Sequence, residues 1–397
     1  MGNSNFLPVP SYRMGLLWTI FNIKESVVLE YGPKGTTHYL NSMYDKFNLS
    51  YKNNVYCNAI EEKDLIFGEP SHLEESLKLL SSYKVVFLAS STLASVIGFD
   101  AVGYISEIES MLKTTVIPID FTNSKGDYSD GIRDGLYILA KYIVKNFKNE
   151  AENSYNIIGI TPDYYNNRSD IKEIKTFMKN VFNMDLNTVF SSDTSIYDIE
   201  KSSSAKINIV MREEGIKAAK FLEDKFAIPY IEADLYSIEN IITFVKNISN
   251  ILNINYNIDY VKKKAKECNE AVEKFKHYTR MKNNIKVLLS GDCYVVKGFH
   301  NFLEKDLNLT IVNSIVNHNI KENNIFNVKP NDKIKKVIIN DDYDIALCDG
   351  ELKQYINKPS FQISSPNIKT VLISDNKPFI CFNGLINILD ELIKLIL

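Results

Sequence analysis

Short apolar runs of four to six residues, each separated from the next by a stretch of helical periodicity, recur along the whole of this 397-residue chain. A strand with one wet face alternates polar and apolar residues. A strand buried on both faces does not, so continuous apolar runs between amphipathic helices predict parallel sheets covered by helices on both sides. In the first third the predicted strands cover residues 26–30, 84–90 and 114–119, and the helices 73–80, 101–112 and 131–145. Residues 147–154 are polar and aperiodic and read as a linker. The alternation restarts with strands over 155–160, 205–210 and 228–231 and helices over 171–181 and 215–226. A long charged helix over 259–281 leads to strands over 285–290, 310–313, 336–339, 343–347 and 370–373, and a last helix over 382–395. The predicted fold class is α/β, with three Rossmann-like, doubly wound parallel-sheet domains in series over residues 1–150, 151–256 and 257–397. A chain of this length is too long for one ordinary core, which agrees.

Composition narrows the function classes. The net charge of -3 argues against a nucleic-acid footprint, which needs a clustered basic excess. The densest basic run, Lys262-Lys263-Lys264-Ala265-Lys266, is followed by Glu267, Glu270 and Glu273 and reads as a solvated helix face. No apolar stretch approaches the ~20 residues of a membrane helix. Met1 to Pro10 has no charged segment followed by an apolar one, so no secretion signal is expected. Five scattered cysteines (Cys57, Cys268, Cys293, Cys348 and Cys381) suit a reducing cytoplasm better than a disulfide framework. No Ser–His–Asp, His-Glu-x-x-His or Cys-x-x-Cys pattern appears, the five histidines are dispersed, and no metal ligand or catalytic residue is assigned. Gly-x-x-x-x-Gly-Lys-Ser/Thr is absent, so this chain is not itself an ATP-hydrolysing component.

Three motifs follow one another in the first third. The loop Gly32-Pro33-Lys34-Gly35-Thr36-Thr37-His38-Tyr39 comes after the first apolar run. Glu62-Lys63-Asp64-Leu65-Ile66-Phe67-Gly68-Glu69-Pro70 leads into the next helix, and Ile97-Gly98-Phe99-Asp100 follows the second strand. In this order they resemble the first domain of the nitrogenase component 1 family, which includes the nitrogenase subunits, their cofactor-assembly homologues and the dark-operative protochlorophyllide reductase subunits. The domain plan extends the resemblance to nearly the whole chain. It implies a component 1-like fold, pairing with a homologous component 1 subunit in a heterodimer or heterotetramer, and electrons from a separate ATP-dependent iron protein. No nucleic acid or membrane partner is expected.

In that family three cysteines of the first domain hold an iron–sulfur cluster at the subunit interface. By resemblance their positions here are Ser11, ahead of Gly15-Leu16-Leu17-Trp18, Thr36 in the Gly-Pro-x-Gly loop, and Thr92 after the second strand. A cluster needs soft, charged thiolates, and hydroxyls are poor substitutes. The expectation is therefore no cluster ligand from this chain, and an iron–sulfur cluster or metallocofactor, if any, held mainly by a partner subunit. His38 and Asp64 are the nearest residues for a single non-cysteine ligand, and a polar loop role is the simpler reading of His38. Gly32 and Gly35 would permit positive φ and close backbone approach at a strand-to-helix turn. A helix beginning near Thr36 would offer free N–H groups to an anion, although a tight turn at an interface is the better account of the loop.

For the large metal cofactor of true nitrogenases, the segment Ile207-Asn208-Ile209-Val210-Met211-Arg212 resembles the strand that bears its cysteine ligand. Met211 takes that position, where a thioether packs more readily than it ligates. No histidine stands near Pro378-Phe379-Ile380-Cys381, where the resemblance would put the second ligand. Cys293 and Cys348 each fall at the carboxyl end of a predicted strand, beside Asp292 and Asp349, where open α/β sheets bind ligands. They are candidates for one shared crevice, or else inert buried thiols. Cys57, Cys268 and Cys381 read as structural, and Trp18 as core. The leading expectation is a subunit of an oxidoreductase complex that does not ligate the interface cluster. The alternatives are a degenerate cofactor-assembly scaffold and an unrelated α/β small-molecule binder.

Overall fold

The computed structural model describes residues 10–42, 54–68, 70–121, 126–147, 153–282, 284–316, 327–328, 342–368, 372 and 374–397. Its strands form three separate sheets, and every strand pair among the described residues is parallel. The predicted strand over 336–339 lies outside the described residues, as do three of the four residues of that over 370–373.

The first unit runs α1 (Tyr12–Ile20), β1 (Ser26–Gly32), α2 (Lys34–Ser42), β2 (Val55–Ala59), α3 (Glu62–Phe67), α4 (Leu73–Leu79), β3 (Val85–Ser90), α5 (Thr92–Val96), α6 (Ala101–Ile108), β4 (Thr115–Asp120) and α7 (Tyr128–Ile138). Its sheet order is β2-β1-β3-β4. The central strands β1 and β3 are buried at every residue, as the apolar runs over 27–29 and 85–89 require. α1 and α7 cross at glycines: a Cβ on Gly15 would stand 2.1 Å from the Tyr128 carbonyl oxygen, and one on Gly131 2.0 Å from that of Tyr12. Only glycine lets the two backbones meet this closely. Trp18 is buried at this crossing and meets the Tyr128 ring edge-on at 5.8 Å.

The second unit contains β5 (Ser154–Ile158), α8 (Asn167–Phe182), β6 (Asp185–Val189), α9 (Ile196–Glu200), β7 (Ile207–Val210), α10 (Ile216–Phe226), β8 (Tyr230–Glu232) and α11 (Ile238–Leu252), with sheet order β6-β5-β7-β8. Asn183, Ala227 and Asn253 end α8, α10 and α11 in the left-handed conformation. The connecting helix α12 (Ile258–Thr279) buries Val261, Ala265, Cys268, Val272 and Phe275 along one stripe and exposes Lys262, Lys263 and Lys266. The basic run is thus a solvated face, and Cys268 is fully buried.

The third unit holds β9 (Lys286–Gly291), α13 (Cys293–Asn301), β10 (Thr310–Val316), β11 (Asn327–Val328), β12 (Ile345–Asp349), β13 (Ser360–Ser364) and α14 (Cys381–Ile396), with sheet order β11-β10-β9-β12-β13. One large apolar cluster runs through the second and third units and their helices α11, α12 and α14. A second cluster joins α1 and α7 to Ile158, Val210 and the helix α10. The carboxyl ends of the central strands of two sheets and the start of α7 consequently meet at one junction.

Candidate functional site

Two polar constellations are built into these strand ends. The first surrounds the Gly-Pro-x-Gly loop. Glu30, near the carboxyl end of β1, is completely buried, and a lone carboxylate there would be very costly. Arg13 on α1 forms an ion pair with it, and Thr37 and Thr36 donate to it, the latter at 3.1 Å. The Thr36 hydroxyl also lies 2.7 Å from the Pro33 carbonyl. Cys57 pairs in register with Glu30 across β1 and β2, and its Sγ lies 3.6 Å from the Gly32 carbonyl. Burial is the main influence on the Cys57 thiol and pushes its pKa up. Gly32 is needed for close approach, since a Cβ there would stand 2.7 Å from that of Ser91.

Several expectations change here. Neither Gly32 nor Gly35 takes a positive φ, and nothing lies within 4 Å of where a Gly35 Cβ would be. α2 begins at Lys34, so Thr36 is already inside its first turn. Ser11 is the N-cap of α1 and accepts from Met14 N. Thr92 is the exposed first residue of α5, which Ser91 caps. His38 is exposed on α2. Asp64 is buried and accepts from the backbone N–H of Glu61 at 3.0 Å and of Ser71 at 2.9 Å. Burial alone would raise its pKa, but these hydrogen bonds outweigh it and hold the carboxyl below its ordinary range. Asp64 thus closes its own loop. The donor set at Ser11, Thr36 and Thr92 does not fit an iron–sulfur cluster, because it is all neutral hydroxyl oxygen.

The second constellation lies at the junction of the three units. Met211 is buried in the large apolar cluster. Its neighbour Arg212, with a side chain only 1% exposed, pairs with Asp163 after β5 at 3.3 Å, Glu214 after β7 at 3.4 Å and Asp292 after β9 at 3.1 Å. It also donates to Thr161 at 3.1 Å. Burial by itself would lower the Arg212 pKa; Asp292, Glu214 and Asp163 outweigh it and keep the guanidinium charged. The hydroxyls of Thr161 and Ser129 donate to Asp163 and Glu214, the latter at 2.8 Å. Tyr128 is partly buried, with its hydroxyl oxygen fully enclosed, and burial, then the Asp163 charge, push its phenol well above its ordinary range. Gly159, at a φ of +102°, lets the backbone of β5 approach Arg212, where a Cβ would stand 2.9 Å from its nitrogen.

Cys293 adjoins this junction, but Cys348 does not share a crevice with it. Cys348 packs with Leu288, Ile315 and Ala346, whereas Cys293 packs against the large cluster that contains Val287 and Leu289. Alternate residues of a strand face opposite ways, so the two thiols are on opposite faces of the third sheet. The Cys293 thiol is pushed up to about 12, first by burial and then by Asp292. Cys381 is fully buried, and burial raises its thiol as well.

Sequence reasoning missed Glu30, Arg13, Asp163, Arg212 and Glu214. The usable signal was a charged residue inside, or directly after, an apolar run, since such a position demands a buried partner. Among the described residues no group of three His, Cys, Asp or Glu side chains is placed to hold a metal ion. No described helix is long and apolar enough to cross a membrane.

A family model described as "Nitrogenase component 1 type Oxidoreductase" matches residues 11–397. The nitrogenase iron-molybdenum cofactor biosynthesis protein NifE of Clostridium pasteurianum is 27% identical over 58% of this chain and 51% of its own length. A light-independent protochlorophyllide reductase subunit from a Synechococcus species is 33% identical over 25% of this chain and 20% of its own. The nitrogenase vanadium-iron protein beta chain of Trichormus variabilis is 23% identical over 60% and 56%. In each case the chain spans little more than half of the relative's length, or less. The solved structure of nitrogenase Cp1 at pH 6.5 superposes on all of this chain and 94% of that one, with a TM-score of 0.78 at 14% identity. That likeness establishes the fold.

Proposed function

Because the chain belongs to the nitrogenase component 1 type oxidoreductase family, we propose that it is the non-ligating subunit of an oxidoreductase complex. It pairs with a homologous subunit that carries the cysteines, and the pair receives electrons from an ATP-dependent iron protein. Any interface cluster is held mainly by the partner. The observation that carries this reading is the Arg13–Glu30 pair beneath the Gly-Pro-x-Gly loop, beside Thr36, one of the positions where the resemblance puts cluster ligands. Ser11, Thr36 and Thr92 are those positions in this chain, and none offers a thiolate. The short helices α3 and α5, which follow β2 and β3, expose Ile66 at 74%, Phe67 at 75% and Val96 at 77%. Large apolar side chains this exposed suit a protein partner. Three domains with borders near residues 150 and 256, and a cytoplasmic location, belong to the same proposal.

The test is anaerobic co-purification with a co-expressed, cysteine-bearing component 1-type subunit, followed by iron and sulfide quantitation and EPR. Iron that appears only in the pair supports the reading. A stable pair without iron, or no pair at all, sinks it. The similarity to a cofactor biosynthesis protein favours a second reading, an assembly scaffold without redox activity. In that case the metal-free chain would accelerate transfer of a cofactor precursor between other proteins.

A further inference from the structure

We propose that the junction of the three units takes no metallocofactor in this chain, and that the Arg212 guanidinium stands there as a fixed internal cation joining them. The family implies a large metal cofactor between its domains, so the donor set can be tested against one. Metals of that kind require thiolate or imidazole. Met211 is buried against apolar side chains, and a thioether supplies neither charge nor strong donation. The residue after it is a guanidinium, which has five donors and no acceptor. It has no lone pair to offer a metal.

The space is already occupied. The side chains of Arg212, Asp163 and Glu214 are 1%, 8% and 6% exposed. Each carboxylate is engaged by Arg212, and two of them also accept from hydroxyls. A planar fork can serve several carboxylates at once, where a metal would need its ligands converging on one point. The carboxylates come from the second and third units, while Ser129 and Tyr128 come from the first. Ser365 of the third unit also donates to the Asp163 carbonyl at 2.8 Å. Arg212 therefore sits in the middle of contacts that tie every unit to its neighbours. The proposal stands apart from whether a partner brings an interface cluster, because that cluster would lie at the Gly-Pro-x-Gly loop.

The experiment is thermal unfolding of the full-length chain and its Arg212→Ala variant, with guanidinium, methylguanidinium, ammonium or sodium chloride at equal millimolar concentration. The variant should melt lower by on the order of 10 °C, since it leaves buried carboxylates uncompensated. Guanidinium or methylguanidinium should recover much of the loss in the variant and leave the parent chain unchanged. A variant that melts like the parent, or that recovers equally with sodium, overturns the proposal. Should Arg212→Ala fail to fold, Arg212→Lys keeps the charge without the fork and should still melt below the parent; unchanged melting would count against it. Metal content supplies an independent arm. Iron or molybdenum retained by the anaerobically purified parent and lost in Met211→Ala would place a cofactor at the junction and overturn the idea. Metal unaffected by Met211→Ala belongs to another site and leaves it standing.

Discussion

Asp170 shows how a single buried group sets a measurable property of the whole chain. Its carboxyl is completely buried at the start of α8. It accepts from Phe379 N at 2.8 Å, Tyr164 at 3.1 Å and Asn166 at 3.1 Å. Burial dominates these hydrogen bonds and raises its pKa from 3.8 to about 7. An acid whose folded pKa lies above its unfolded value retains a proton that the unfolded chain has lost. Its contribution is therefore fully present below about pH 4 and disappears as pH rises through about 7. Urea unfolding across that window should show stability declining with pH, and Asp170→Asn should flatten the slope. An unchanged slope in the variant would assign the titration elsewhere. Glu30 solves the same problem differently, by taking Arg13 and two threonines as partners.

At the scale of elements, helix crossing and sheet edges carry the lesson. The α1–α7 contact depends on backbones meeting at Gly15 and Gly131, and a backbone carbonyl cannot rotate out of the way. Gly131→Ala should cost about 2–3 kcal/mol, read as a lower midpoint in denaturant. Gly35→Ala is the control: with open space around it in α2, it should be neutral or stabilise by up to about 1 kcal/mol. Equal effects at both positions would refute the close-contact account. The strands not foreseen from sequence were β2, β6, β11 and β13, all at a sheet edge. β2 is buried only at Val55 and Asn58, and β6 begins with exposed Asp185. Edge strands need only one apolar face, so short ones lack the continuous run that announced β1, β3, β5, β7, β9 and β12.

For the whole molecule, pairing through the first unit makes a separable prediction. Phe67→Asp or Val96→Glu changes an exposed side chain, so the isolated chain should unfold within about 0.5 kcal/mol of the parent. Either variant should nonetheless weaken co-purification with the cysteine-bearing subunit. Loss of stability together with pairing would mean that these residues serve the fold instead. The sequence alone determined three parallel α/β units, because central strands buried on both faces must be written as unbroken apolar runs. The resemblance read from it puts the hydroxyl residues Ser11, Thr36 and Thr92 at the family's ligand positions, a reading of residue identity and spacing only. Tertiary structure decided which charges meet. Arg13 and Glu30 are separated by a helix and a turn, and Arg212 meets Asp163 and Asp292 from distant parts of the chain. No local pattern encodes such pairings. They exist because parallel strands bring their carboxyl ends together, and because a charge buried there must find its opposite.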